Sequence, residues 1–256
     1  YKNSSKNILY LDSVGLGMMD RDYYLEKSEK SLEIQKAYKL FLKKLFIMSG
    51  YNENDAVIKA ENVFDFEARL AFAMLKREDT RDPDKIYNPA YLRALNKEFR
   101  EGDIKIIKDY MESIILRENS SLLSRDFENA AFEYSKVFSG IDEMLPDDER
   151  AFDLLNNMLG ELLGSIYIKE YFSEDAKNDV ISMIKEIIAT YENRIENLSW
   201  MSEASKNQAV KKLETMTIKV GYPDKWEDYS SIQIKTYQNG GSLYSNVKNI
   251  GDFERI

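Results

Sequence analysis

The 256 residues of this sequence include no histidine and no cysteine, which removes most of the usual catalytic chemistry and leaves carboxylates as the candidates to consider first. Without an imidazole, no side chain has an unperturbed pKa close to neutral pH. Without a thiol there is no thiolate nucleophile, and a zinc site built from His or Cys cannot form. A catalytic pair of carboxylates would need two acids held close together in different environments. By residue type alone, the candidates are Asp20, Asp22, Glu67, Asp79 and Asp82.

These acids also have structural interpretations, which we favour. The run Asp20–Asp22 has the composition of a turn that leads into a helix cap. Glu67 lies on the apolar stripe of a predicted helix, where a lone buried carboxylate would be costly. We therefore expect a partly buried ion pair with an arginine. Arg69 and Arg81 are the available choices, and we favour Arg81 because Arg69 points to another helix face.

The elements that must position these acids are helices, because apolar residues recur at helical spacing along most of the chain. One helix is predicted from Ile34 to Met48, with Gly50 as its C′ residue. A second, from Asp55 to Lys76, carries Glu67 and ends before Pro83. Others are predicted over residues 105–123 and 127–138 and after Pro146, Ser173 and Ser202.

The helices predicted after Pro146 and Ser173 each have an apolar face that should lie in the core. Within the first, Gly160 and Gly164 are interpreted as small residues that allow another helix to approach closely, rather than as a membrane dimer motif. The predicted core positions of the two helices are Ala151, Leu155, Met158, Leu162, Ile166, Val180, Ile184, Ile187, Tyr191, Ile195 and Leu198.

Composition favours a mainly α fold with few or no strands. Hydrophobic residues make up 43% and charged residues 32%, while Pro (4) and Gly (11) are scarce. A net charge of −9 without a long basic stripe argues against nucleic-acid binding. No apolar run is long enough to form a membrane segment. The lack of cysteine excludes disulfides but leaves both cytoplasmic and exported locations open. Because the first residues fit neither a signal peptide nor an initiator methionine, we expect a piece of something longer.

Ordered motifs are spread over the chain. Residues 200–213 read W-M-S-x-x-x-K-x-x-A-x-x-K-L, and residues 221–229 read G-Y-P-D-K-W-x-D-Y. Earlier stretches read G-L-G before D-R-D-Y-Y, E-x-x-L-A before R-D-P and Y-N, and L-G-E-L-L-G-x-x-Y. The motif residues singled out are Glu67, Arg81, Asp82, Tyr87, Asn88, Trp200, Met201, Lys206, Gly221, Tyr222, Pro223 and Trp226.

Together these motifs resemble the neprilysin / endothelin-converting-enzyme family of zinc metallopeptidases, and most closely its bacterial endopeptidase O type. The resemblance implies two mainly helical lobes around a cavity, in which a His-Glu-x-x-His helix of the C-terminal lobe holds the zinc. All matches fall in the other lobe, which covers the site and restricts access to short peptides. Residues 1–256 are thus expected to form this gating lobe, with no catalytic or metal-binding residue of their own. Zinc, the catalytic lobe and short peptide substrates are implied for the parent enzyme.

The sequence departs from the family pattern at Pro89–Ala90. Two pieces that a few dozen residues usually separate run directly together there. Either this lineage has a shortened segment, or a loop is missing from the sequence. We favour the missing loop, which predicts a spatial gap between Pro89 and Ala90. The alternative to the gating lobe is a free-standing helical module that binds peptides or proteins without catalysis.

Overall fold

The structure, a computed structural model, describes residues 15–76 and 89–254. Those residues form α-helices and short 3-10 turns without strands, so the predicted mainly α class is confirmed. None of the described helices is long and apolar enough to cross a membrane. The α-helices are α1 (Asp22–Leu25), α2 (Glu29–Met48), α3 (Glu53–Ala73), α4 (Pro89–Glu101), α5 (Ile104–Asn119), α6 (Arg125–Ser139), α7 (Asp147–Tyr171), α8 (Glu174–Glu196), α9 (Glu203–Glu214) and α10 (Leu243–Phe253).

The chain divides into two compact units between Met144 and Leu145. In the first unit, local sequence signals set the helix ends. Ser28 and Asn52 cap α2 and α3 by accepting hydrogen bonds from the amides of Ser31 and Asp55. Gly50, with φ of +106°, follows α2 in a conformation that a side chain would disfavour. Helix α2 thus begins before the predicted Ile34 and ends at the predicted Met48, whereas α3 begins before the predicted Asp55 and ends before the predicted Lys76.

The first unit has a continuous core in which α3 packs against α2, α4 and α5, and α2 also packs against α6. Phe66 and Tyr110 join α3 to α5 with ring centroids 4.5 Å apart. Phe41 stacks on Tyr134 at 5.0 Å and so joins α2 to α6. Side chains with no solvent exposure include Met18, Tyr38, Leu42, Leu45, Phe46, Val63, Phe66 and Leu70.

The second unit begins with α7, whose start after Pro146 has three acids in its first turn. Ser173, Ser202 and Ser242 accept amide hydrogen bonds at the starts of α8, α9 and α10. The caps predicted at Ser173 and Ser202 are therefore confirmed. A break in the helical backbone at Leu159, with φ of −131° and ψ of 36°, bends α7 within its length.

The second unit buries far less apolar surface than its helical periodicity predicts. Leu159 is the one buried residue of α7, and α8 has none among the described residues. The prediction of buried core faces on these helices is therefore wrong for most positions. Half-exposed or exposed examples are Leu155, Leu162, Ile166, Ile187 and Tyr191. Periodicity reports that a face is apolar, but only tertiary contacts decide whether it is covered.

Helix α4 was not predicted from the sequence. Pro89 and Ala90 are its first two residues, and the loop expected to be missing between them stays a prediction. Proline is favoured at a helix start because its missing N–H would be unpaired there in any case. Tyr91, at 1% exposure, anchors this helix to the core of the first unit.

Candidate functional site

The centre of the first unit is a buried carboxylate. Glu67 lies on α3 with no solvent exposure. Each of its two carboxylate oxygens accepts two hydrogen bonds. Oε2 accepts from the hydroxyl groups of Tyr38 at 2.6 Å and Tyr24 at 2.8 Å. Oε1 accepts from the amide of Gly17 and from Nη2 of Arg117, each at 3.2 Å. We call these five residues the Glu67 cluster.

The two tyrosines of the Glu67 cluster are held in their neutral, donating form. Burial raises the pKa of both hydroxyl groups well above the ordinary value, and the negative charge of Glu67 raises it further. The Tyr24 hydroxyl also accepts a hydrogen bond from the amide of Met18 at 3.1 Å. A charged carboxylate with hydroxyl donors on one oxygen makes strong hydrogen bonds, because one partner is ionised.

Arg117 is the arginine that pairs with Glu67, and it was not among the partners predicted from the sequence. Arg69, one of the two candidates, instead forms a bidentate pair with Glu98 at 2.8 and 3.0 Å. Arg81, the favoured candidate, lies outside the described residues. An ion pair was thus expected correctly, but its partner comes from α5, 50 residues further along the chain. Local helix geometry cannot reveal a contact of that range.

The electrostatics of Arg117 match this arrangement. Burial alone would lower the pKa of its guanidinium, but Tyr38 and Glu67 outweigh that effect and keep it raised. The guanidinium carbon also lies 5.7 Å from the centroid of the Tyr38 ring. Arg117 is therefore a cation under all ordinary conditions, and it balances the charge of the carboxylate.

Gly17 brings the segment before α1 onto this cluster. A Cβ atom at this position would overlap the Tyr38 hydroxyl and the Arg117 guanidinium, so the close approach requires glycine. Its carbonyl oxygen accepts a hydrogen bond from the Tyr134 hydroxyl of α6 at 2.9 Å. The family-like residues Gly17, Tyr24 and Glu67, distant in sequence, thus meet at one point. Asp20 lies beside it and accepts a hydrogen bond from the amide of Asp22, in the turn that was predicted.

The chemistry open to the Glu67 cluster is structural. Both carboxylate oxygens are saturated with donors and closed to solvent, which leaves no room for a substrate or an attacking water. A second buried acid, Asp109, is likewise taken up by Lys59 at 2.6 Å and Asn62 at 2.9 Å. Among the described residues, no three metal-ligating side chains come together. Over residues 15–76 and 89–254, the side chains therefore do not fit a catalytic zinc ion.

In the second unit, the motif at residues 221–226 folds back onto the junction of α7 and α8. Gly221 has φ of +66° and packs so closely on Phe172 that a side chain there would overlap the ring. Nζ of Lys177 donates to the Tyr222 carbonyl at 3.0 Å and lies 4.1 Å from the centre of its ring. Trp226 stacks on Tyr222 at 5.9 Å. The motif thus connects two segments that are about 45 residues apart in the sequence.

The other motif residues have more varied positions. Lys206 joins the end of α8 to the start of α9, because its amine donates to the Glu196 carbonyl and the Glu203 carboxylate, each at 2.9 Å. Trp200 is 76% exposed, so it does not contribute to a core in this chain. Met201 is half-buried and Pro223 is exposed. The remaining motif residues, Arg81, Asp82, Tyr87 and Asn88, lie outside the described residues.

Glu161 makes a polar contact that was not predicted from the sequence. It lies on α7 within the L-G-E-L-L-G motif, and its Oε1 accepts a hydrogen bond from the amide of Glu227 at 2.8 Å. The signal that could have found it is the position of one acid between two glycines on a helix face that the 221–229 motif must approach.

Comparison with known proteins gives one consistent match. The N-terminal model of Peptidase family M13 matches residues 1–97 and 86–223. The two matches overlap around Pro89–Ala90. Alignments with relatives extend over more positions than the 256 residues of the chain, so the relatives carry additional residues.

Curated relatives match almost all of the chain but less than half of their own length. The neutral endopeptidase of Lactobacillus helveticus is 28% identical over 282 residues, covering 96% of this chain and 43% of that protein. Endothelin-converting enzyme 1 of Mus musculus is 27% identical, covering 95% of this chain and 38% of that protein.

Solved structures show the same fold. The zinc metalloprotease Zmp1 of Mycobacterium tuberculosis in its open state has a TM-score of 0.75 at 22% identity, covering 93% of this chain and 43% of that one. PepO from Lactobacillus rhamnosis HN001 has a TM-score of 0.72 at 22% identity, covering 91% of this chain and 43% of that one.

Proposed function

Because this chain belongs to peptidase family M13, we propose that it is the non-catalytic helical lobe of a zinc metallopeptidase that cleaves short peptides. In this proposal its helices wall the cavity above a catalytic lobe and exclude folded proteins from it. The zinc ion, when bound, would activate the water that attacks the peptide bond, and its ligands would belong to the catalytic lobe.

One observation carries this proposal. The match to the fold of a zinc metalloprotease covers 93% of this chain but 43% of that enzyme. This chain contains no histidine. In this proposal, the His-Glu-x-x-His helix comes from outside these residues. The Glu67 cluster also supports a non-catalytic role for this lobe, because a carboxylate that accepts four hydrogen bonds holds elements together rather than exchanging protons.

A chimera tests the proposal. The chain replaces the matched portion of the Lactobacillus helveticus neutral endopeptidase, and the chain alone is the control. We expect the chain alone to cleave no peptide with or without added Zn²⁺. The chimera should cleave a fluorogenic peptide of about ten residues but leave a folded protein intact, because the lobe limits entry to the cavity.

The outcomes separate the competing functions. Zinc-dependent cleavage by the chain alone would overturn the proposal. A chimera that unfolds cooperatively but has no activity would favour the free-standing binding module instead. A chimera that degrades folded proteins as fast as short peptides would contradict the gating role while leaving the family assignment in place.

A further inference from the structure

The starting observation is an apolar surface on α7. Ile166, Tyr167 and Tyr171 lie on it, and between 60% and 68% of each of these side chains is exposed. The rings of Tyr167 and Tyr171 contact each other with centroids 4.8 Å apart. Each large apolar side chain left in water forgoes the favourable free energy of burial. Neighbouring groups of this kind on one helix mark a surface that normally meets a partner.

This surface forms a groove rather than a flat face. The groove has a volume of ≈ 620 Å³ and runs along α7 to the Gly221 turn, and we call it the α7 groove. Gly160 and Gly164 form its floor. A Cβ atom at Gly164 would contact nothing, and at Gly160 only the Asn156 side chain at 3.9 Å. The space above both glycines is therefore open to another backbone.

We propose that the α7 groove is the docking site for an apolar helix from the part of the M13 polypeptide that has no counterpart in these residues. This inference rests on the proposed function and names the surface that the function requires. The first relative and the first solved structure each match the chain over 43% of their own length, so more than half of each remains to supply that helix.

The groove fits a helix better than an extended peptide. Along α7 the wall is the side of a helix, whose backbone N–H and C=O groups are already paired, so it offers no strand edge. An extended peptide would bury its own backbone groups there without partners. A helix satisfies those groups internally. The glycine floor also lets two helix axes approach to about 8–10 Å, the usual packing distance.

The polar groups at the groove also agree with an apolar occupant. Apart from two tyrosine hydroxyl groups, the polar side chains among the described lining residues are Asn156 and Glu170. The walls consist of Phe152, Leu163, Ile166, Ile168, Phe172 and the tyrosine rings. A strongly charged ligand would find one carboxylate and no cation. An apolar helix gains from burying the walls, and it can leave Glu170 in contact with solvent.

Single-cysteine labelling tests the proposal, because the chain has no cysteine of its own. Ile166→Cys reports on the groove. Lys169→Cys, an exposed position about one turn further along the same helix and outside the groove lining, is the control. Both are made in the free chain and in a cysteine-free version of the chimera described above. The rate of maleimide labelling is measured at each position.

We expect both thiols to react at similar rates in the free chain. In the chimera, the thiol at position 166 should react at least about tenfold more slowly, because labelling then requires local opening. The thiol at position 169 should keep its rate. Gly164→Leu, which fills the groove floor, should restore labelling at position 166 in the chimera.

Each alternative result overturns the inference in a recognisable way. Equal labelling at positions 166 and 169 in the chimera rejects the docking site, and an active chimera with that result leaves the proposed function standing. Slow labelling at 166 in the free chain, with a dimeric mass by light scattering, assigns the groove to a second copy. Slow labelling in a monomeric free chain assigns it to this chain's own residues. An inactive chimera with selective protection at 166 supports the docking site and rejects the proposed function.

Discussion

The carboxylate of Glu67 on α3 accepts a hydrogen bond from the hydroxyl group of Tyr38 on α2 at 2.6 Å, and neither side chain is exposed to solvent. This contact joins the two longest helices of the first unit through a charged group at the centre of an apolar core. A buried charge is tolerated only when it is fully paired, so every donor to Glu67 becomes important for stability. Substitutions in the Glu67 cluster should therefore lower the free energy of unfolding.

Replacing Glu67 with glutamine should lower the free energy of unfolding by about 3–5 kcal/mol, because it leaves the Arg117 cation buried without a counter-charge. The measurement is urea denaturation followed by circular dichroism. Glu61→Gln on the same helix is the matched control, since Glu61 is exposed and pairs with Lys39 at the surface. That change should cost about 0–1 kcal/mol. Similar losses from both substitutions would refute the structural role of Glu67.

Gly17→Ala should destabilise the chain by about 1–3 kcal/mol, because the added methyl group overlaps Tyr38 and Arg117 and strains the packing. Gly15→Ala, two residues earlier, is the control, since a Cβ atom there contacts nothing. It should be neutral or stabilising by up to about 1 kcal/mol through the unfolded state. Thermal unfolding of the two variants provides the comparison. Equal unfolding temperatures for the two variants would contradict the close approach of Gly17 to Tyr38 and Arg117.

Stability should fall as pH rises above about 10. The unfolded chain releases its tyrosine protons near that pH. In the folded chain, burial and the charge of Glu67 raise the pKa of Tyr110 to about 12 and the pKa of Tyr24 and Tyr38 well above the ordinary value. The unfolded state therefore binds fewer protons in this range, and each such tyrosine contributes a loss of about 1.4 kcal/mol per pH unit.

Urea denaturation at several pH values between about 9 and 11, where exposed tyrosines titrate, measures how the free energy of unfolding depends on pH. Tyr38→Phe removes one of the titrating groups, so its slope against pH should be shallower by about 1.4 kcal/mol per unit. Tyr237→Phe is the control, because Tyr237 is 88% exposed. Identical slopes for the parent chain and Tyr38→Phe would show that Tyr38 is not held neutral.

Lys177→Met should loosen the turn at residues 221–226 without unfolding the chain. It removes the hydrogen bond to the Tyr222 carbonyl and the contact with the Tyr222 ring, which together contribute about 1–2 kcal/mol. Hydrogen exchange should become faster in that turn and remain unchanged in α2 and α3. Lys185→Met, an exposed position on the same helix, is the control. Unchanged hydrogen exchange at residues 221–226 in Lys177→Met would show that the contact of Lys177 with Tyr222 does not hold this turn in place.

Much of the local structure followed from sequence signals that act over a few residues. Ser173 and Ser202 have short side chains that accept hydrogen bonds from the next turn, so these helix starts could be predicted from residue type. Helix α4 escaped prediction because its main anchor is Tyr91, which is buried by contacts with distant residues. Local propensity does not encode such contacts.

The candidate site was predictable only in part. Glu67 was recognisable because a carboxylate on an apolar stripe needs a partner, but the identity of Arg117 was not. The choice between Arg69, Arg81 and Arg117 depends on how α3 and α5 lie against each other. Similarly, the motif at Gly221–Trp226 could be recognised as a unit, whereas its contact with Phe172 and Lys177 required the fold.

The sequence by itself determined the helical class, most helix starts, the family resemblance and the absence of histidine ligands, because composition, capping and short motifs are properties of neighbouring residues. The tertiary structure alone decided that Gly17, Tyr24, Tyr38, Glu67 and Arg117 meet at one buried point, and that the apolar faces of α7 and α8 remain open. Both are outcomes of long-range packing, in which burial of a side chain depends on which distant segment covers it and not on its own periodicity.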